Sequence, residues 1–496
     1  MTSAPTLVAV LLVIVSTLAI GTLGLRLSRT TSDFFVASRS VRPALNASAI
    51  GGEYLSAASF LGIAGLVLAF GADMLWYPVG WTAGYLVLLV LVAAPLRRSG
   101  AYTLPDFAEA RLGSRRVRAV SSVLVVAIGW LYLLPQFQGA GLTLAAALGA
   151  PRWVGAVSVA VVVLLNVVSG GMRSITFVQA FQYWLKVTAL LVPALVLLSI
   201  WMGDGAPSPA AAGTDPALWS LPVAGGGAQG LYVTWSLIIA TCLGTMGLPH
   251  VVVRFYTNPD GRAARRTTLV VLALLGGFYL LPPVYAALGR IYGDPSRTDV
   301  LVLELPKQML PGLGGEVLAA LVTAGAYAAF LSTSSGLSIA VGGVLGQDVV
   351  GRLRLSGVAS FRIGAAVAIV VPCLVALATE NVSVARAVGL AFAVAASTFC
   401  PLLVLGIWWR GLTDVGAIAG LVVGFVGSGS GVAYAFVTAS TSGWTGALLS
   451  QPAAWSVPLA FATMLGVSLL TRRRVPTHVR RFMVRLHTPE TVDLAR

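Results

Sequence analysis

The sequence predicts an all-α polytopic membrane protein of about thirteen transmembrane helices, and three observations carry that prediction. Of its 496 residues 57% are hydrophobic and only 10% are charged, whereas ordinary soluble domains carry about 25% charged residues. Apolar runs of the roughly 20 residues that a bilayer-spanning helix needs recur from one end to the other. Arginine and lysine then alternate between loops in the manner of a chain threaded back and forth through a bilayer.

Taken in order, the runs cover residues 6–26, 45–70, 76–96, 119–148, 152–170, 175–202, 228–251, 267–290, 314–348, 361–379, 384–409, 413–438 and 452–471. The first, Leu7 to Leu25, has no basic segment before it and reads as a retained span, not a cleaved signal peptide. Arg26, Arg29, Arg39 and Arg42 follow the first run, and Arg97, Arg98, Arg111, Arg115, Arg116 and Arg118 follow the third. Arg254, Arg262, Arg265 and Arg266 follow the seventh, Arg352, Arg354 and Arg362 the ninth, and six arginines from Arg472 to Arg485 the last. All fall on one side, and the other side holds only Arg152, Arg290, Arg297, Lys307 and Arg386. By the positive-inside rule the N-terminus is outside, the C-terminus is cytoplasmic, and the loops 203–227 and 291–313 are external. A multi-pass protein of the plasma (inner) membrane is expected.

The net charge of +15 raises nucleic acid as a partner, but basic loops facing an anionic leaflet account for it, so membrane lipids are the expected contact and nucleic acid is not. Cys242, Cys373 and Cys400 lie in apolar runs without CxxC spacing, and the three histidines have no partner spacing for a metal or a triad. With no acid pair and no HExxH, an enzyme is not expected. Nor is any cofactor, or any obligate protein partner. The short tail 476–496 leaves no room for a signalling output domain.

Two apolar runs are interrupted. Ala49 to Gly62 holds paired glycines, Glu53, Ser56 and Ser59, and the seventh run holds Thr241-Cys242-Leu243-Gly244-Thr245-Met246-Gly247-Leu248-Pro249-His250. A carboxylate at bilayer depth costs about 2.5–3.5 kcal/mol on the insertion scale. Glu53 therefore reads in one of two ways: bonded to neighbouring backbone and holding a break open, or attracting a cation or carrying a proton. Interrupted segments at matching positions of two halves point to a transporter site. They divide the chain into 1–44 (first helix and internal loop), 45–227 (first repeat), 228–410 (second repeat), 411–475 (two added helices) and 476–496 (tail). The ninth run contributes four consecutive hydroxyls, Ser332 to Ser335. Ser334 and Ser335 read as bonding back to the preceding turn. Ser332 and Thr333, with the carbonyl of Ala329 and the carbonyls of Gly52 and Leu55, offer five oxygens suited to a hard monovalent ion such as sodium.

At this point the chain resembles a known family. Gly170-Gly171-Met172-Arg173-Ser174 running into Thr176, Gln179 and Gln182 is similar to the signature of the solute:sodium symporters, as are Gly247-Leu248-Pro249-His250 before Arg254 and Ala328 to Ser335. Gly52 to Gly62 most resembles the cation/acetate (monocarboxylate) branch. The resemblance covers about residues 5–475 and implies inverted five-helix repeats of the LeuT-like kind, with broken helices in spans two and seven around a midplane site. It also implies sodium ligation by Gly52, Leu55, Ala329, Ser332 and Thr333. Gln179 stands where many members carry an aspartate near the inner exit, and with Glu53 it marks the expected ion pathway. The serine-threonine pair, absent from several acetate-type members, favours sodium over protons as the coupling ion. Tyr54, Ser56, Ser59, Gln136, Gln138, Trp235, Thr241 and Thr245 are the candidate walls of a solute cavity. The threonines stand where relatives direct aromatic side chains toward the solute. The expectation is a secondary symporter in which a sodium or other cation gradient drives a small organic solute inward. The expected solute is a short monocarboxylate such as acetate, propionate or pyruvate. The alternatives are another solute (proline or a sugar), a proton-coupled carrier, or a solute sensor without transport.

Overall fold

The computed structural model describes residues 4–25, 31–210, 212, 219–220, 227–353, 356–379, 384–437 and 443–490, and among them the chain forms helices and no strand. Arg26, Arg29 and Arg354, used above for orientation, lie outside the described residues, as do parts of the loop 203–227 and of the tail. Eleven helical stretches among the described residues are long and apolar enough to cross a membrane. They overlap each of the thirteen expected spans, although residues 45–57 of the second lie outside them. The counts differ because Arg152–Gly203 contains both 152–170 and 175–202, while Ala58–Leu91 contains most of 76–96 together with the end of 45–70.

The helices that build the centre are α1 (Ala4–Leu25), α2 (Pro43–Tyr54), α3 (Ile63–Phe70), α4 (Trp76–Leu91), α5 (Arg115–Leu148) and α6 (Arg152–Gly203). They are followed by α7 (Gly227–Gly247), α8 (Pro249–Val253), α9 (Gly261–Tyr279), α10 (Leu281–Tyr292), α11 (Leu313–Asp348), α12 (Gly357–Ala378) and α13 (Val384–Trp408). Two more, α14 (Asp414–Val437) and α15 (Ala453–Leu470), complete the bundle. α11 is the hub. It runs against α6, α12, α5 and α1, while α2 lies on α6 and α7 lies between α4 and α13. The most apolar windows of α11 and of Ala387–Trp408 are 83% and 94% buried, against 28% for α1 and 33% for α15, so the first two are interior and the last two face outward.

Helix α6 is kinked at Gly171, where φ is 56° and ψ is −156°. Only glycine suits the position, because an L residue is strained at that φ and a Cβ would lie 2.7 Å from Phe34 Cα. This is the Gly-Gly-Met-Arg-Ser signature, and its Arg173 pairs with Asp33 at 2.9 Å.

The arginines of the expected inner side gather at one end of the bundle. Arg39 Nη2 donates to Gly100 O at 2.6 Å, Arg97 donates to the carbonyls of Asn258 and Pro259, and Arg118 binds three carboxylates. Arg254 departs from this pattern. The sequence puts it in a loop; the structure buries it completely, for a reason found at Glu53.

Candidate functional site

Pro43 opens α2, where its fixed φ is pre-organised for the first helical turn. The helix stops at Tyr54: Leu55 takes φ −72° and ψ 80°, and Ser56 N donates to Tyr54 O at 2.8 Å. The chain resumes as a short π-helical turn, Ala58–Gly62, before α3. Such turns recur where a helix is locally rebuilt at a functional site. The paired glycines serve close approach. A Cβ on Gly52 would lie 2.1 Å from Gln179 O, and one on Gly51 2.7 Å from the Tyr183 ring. Without side chains there, the break in α2 lies directly on α6.

Backbone carbonyls released by a break must find donors. Here α6 and α11 supply them. Thr333 Oγ1 donates to Glu53 O at 2.7 Å. Lys186 Nζ, from α6, donates to Gly52 O, to Leu55 O at 2.7 Å and to Ser332 Oγ at 2.6 Å. Ser332 Oγ in turn donates to Ala329 O at 3.1 Å. An ammonium has three donors and no acceptor, so Lys186 is fully satisfied. It also sits at the C-terminal end of α2, where the helix dipole favours a cation.

The five oxygens expected at the cation site are therefore brought together, but around a side chain that was not among the expected site residues. Gly52, Leu55 and Ser332 surround the Lys186 ammonium, and Ala329 and Thr333 hold the next bonds outward. A signal was available: Lys186 is one of two lysines in the chain, and it interrupts the apolar run 175–202. An ionisable residue inside a span is a functional candidate by default.

Glu53 is 2% exposed and accepts from Arg254 Nε at 2.6 Å. Arg254 follows the second interruption, where Leu248 is extended (φ −73°, ψ 120°) between α7 and α8. Its Nη1 also donates to Thr176 Oγ1 at 3.0 Å. Gly336 makes room for the carboxylate, since a Cβ there would lie 2.0 Å from Glu53 Cδ. The partner of Glu53 is thus a guanidinium, an arrangement neither sequence reading contained. Gln179, also expected on the ion pathway, donates through Nε2 to Ser332 O at 2.7 Å and faces Glu53.

Of the solute candidates, most are buried close to the break. Tyr54 Oη and Thr245 Oγ1 are 2.8 Å apart, and the Tyr54 ring meets Tyr85 edge-on at 4.8 Å. Ser56 faces Tyr132, Ser59 Oγ lies 3.0 Å from Tyr279 Oη, and Gln136 Oε1 lies 3.5 Å from the amide of Ala57. Thr241 bonds back to Leu237 O at 2.8 Å and packs on Gly80. Gln138 donates to Thr379 Oγ1 at 3.0 Å. Trp235 corrects the sequence expectation. It is 58% exposed on the outer surface of α7, because its helical phase turns it away from the Thr241–Thr245 face. A cavity of about 400 Å³ runs from Phe70, Met74 and Asp299 to Ala57 and Phe330 at the edge of the break. Tyr54, Ser56 and Ser59 are not among its walls.

The described helices form a membrane-spanning bundle in which two interrupted helices meet at a buried polar centre, and a solved structure shares the fold. A sodium-coupled sialic acid symporter in a substrate-bound outward-open state superposes with a TM-score of 0.71, over 93% of this chain and 98% of that one, at 15% identity. In sequence, the Sodium:solute symporter family matches residues 34–424. An uncharacterized symporter of Bacillus subtilis is 31% identical over 466 residues, 88% of each protein. A monocarboxylic acid transporter of Corynebacterium glutamicum is 31% identical over 489 residues, 89% of this chain and 87% of that protein. The chain belongs to the sodium:solute symporter family. It is a membrane transport protein and not an enzyme.

Proposed function

We propose that the chain is a secondary active symporter that carries a short monocarboxylate inward, driven by a cation gradient, by alternating access. The observation that carries this reading is the break in α2 at Leu55, which meets the second interruption through the buried Glu53–Arg254 pair in a chain of the sodium:solute symporter family. A continuous helix has no free carbonyls to offer, so the break builds a place for one positive charge at the centre of the bundle. The resemblance to a monocarboxylic acid transporter supports the solute class. The interruptions at Leu55 and Leu248 support a division into the repeats 45–227 and 228–410, with the N-terminus outside by the positive-inside rule. The cavity reaching Ala57 is lined also by Thr298 and Asp299 of the loop expected outside, which supports an outward path for the solute.

The test is uptake of radiolabelled acetate, propionate, pyruvate, proline and a sugar into proteoliposomes under separate sodium and proton gradients. Concentrative uptake of a monocarboxylate supports the proposal; uptake of none under either gradient removes it. A second reading, in which the proton gradient is the driver, gains weight because a lysine already occupies the place expected for sodium.

A further inference from the structure

The cation expected at the break in α2 does not fit the residues that surround it. Sodium would have to approach Gly52 O, Leu55 O and Ser332 Oγ, and each of these accepts a hydrogen bond from Lys186 Nζ. The remaining two oxygens are committed as well: Ala329 O accepts from Ser332, and Thr333 Oγ1 donates to Glu53 O. Lys186 is completely buried, and its stem rises from the same face of α6 that places Gln179 against Ser332 O, seven residues earlier. Its position is therefore set by the packing of α6 on α2 and α11. A surface side chain free to swing out would not be held in this way.

The charged groups facing Nζ are Glu53 from α2 and, behind it, Arg254, which is paired with Glu53. α1 carries no charged residue, and α11 presents hydroxyls and carbonyls at this level. Glu53 is engaged by Arg254 through Oε2, and its carboxylate balances that guanidinium and not a further cation beside Lys186.

We infer that Lys186 is the resident cation of this site and that it excludes sodium from it. The tethered ammonium supplies the single positive charge that the released carbonyls require, so sodium is neither bound nor carried at Gly52, Leu55 and Ser332. Lys186 is thus a specificity-determining residue for the coupling ion. The inference rests on the cation-coupled symport reading for its functional consequence, whereas the binding claim stands on the geometry.

The experiment measures binding of radioactive sodium to purified full-length protein in lipid nanodiscs, beside monocarboxylate uptake in proteoliposomes with sodium replaced by choline. Wild-type protein is expected to show no saturable sodium binding at this site, and its uptake to change by less than about twofold on replacement. Lys186→Ala removes the ammonium and its stem and leaves the oxygens in place. That variant is expected to gain saturable sodium binding, lost again when Ser332→Ala is added. Saturable binding by the wild type that Ser332→Ala abolishes overturns the inference, and this arm does not depend on whether the lysine variant folds. A Lys186→Ala protein that elutes as a folded monodisperse species without sodium binding overturns it equally. Absence of uptake of every monocarboxylate would instead count against the symport reading and leave the binding result standing.

Discussion

Arg254 Nε lies 2.6 Å from Glu53 Oε2, with the two side chains 1% and 2% exposed. This pair joins the two interrupted segments: Glu53 is the penultimate residue of α2, and Arg254 follows α8. Removing one member of a buried pair leaves an uncompensated charge, at a cost of about 3–5 kcal/mol. Glu53→Gln is therefore expected to lower the unfolding temperature sharply. Glu53→Met with Arg254→Met, which removes both charges, is expected to restore much of the loss. Thermal unfolding in detergent reads both. A double variant that is stable and still concentrates solute would show that Glu53 carries no essential proton.

Gly52→Ala tests the close approach of α2 to α6. Its Cβ would lie 2.1 Å from Gln179 O, and overpacking of this kind costs about 1–3 kcal/mol. The α2 break would also move away from Lys186. Reduced unfolding temperature and reduced uptake are expected together. Gly466→Ala is the control, since nothing lies within 4 Å of a Cβ there.

Tyr54→Phe removes the hydroxyl that lies 2.8 Å from Thr245 Oγ1 while keeping the ring against Tyr85. Thr245 retains its bond to Thr241 O, so the stability cost is about 1 kcal/mol. If Tyr54 contacts the solute, the KM for uptake rises with little change in maximal rate. A lowered unfolding temperature with an unchanged KM would assign the residue to packing alone. Trp235→Ala, on the exposed surface, is expected to leave the KM unaltered.

At the arginine-rich end, Arg118 holds Asp106 at 2.8 Å, Glu109 at 2.7 Å and Asp348 at 2.7 Å. Burial lifts the Asp106 carboxyl above its ordinary value, and Arg118 works against that shift. A carboxyl whose value is raised on folding favours the fold when protonated, so its contribution is lost as pH rises through the raised value. Arg118→Ala raises it further and leaves three acids crowded together. Its stability deficit is expected to be larger at about pH 8 than at about pH 5. Equal deficits at the two would contradict this account.

Much of the fold was legible from composition and loop charge. The eleven apolar helical stretches overlap all thirteen expected spans, because lipid demands long, internally bonded apolar segments whatever their partners. The interruption after Tyr54 was legible for a related reason: paired glycines, a carboxylate and serines have no place in a lipid-facing helix. Trp235 was misread, because helical phase relative to the bundle is set by packing and not by local composition.

By itself, then, the sequence determined that the chain crosses a membrane repeatedly, that α2 is interrupted near Gly52 to Ser56, and that carbonyls and hydroxyls from two distant segments suit one positive charge. Only the tertiary structure decided which charge is there. Lys186 is 131 residues from Leu55 and 146 from Ser332, and Arg254 is 201 residues from Glu53. Pairing among buried charges depends on which helices touch. Here the packing of α6 on α2 and α11 delivers an ammonium to oxygens that, read along the chain, were equally suited to a free ion.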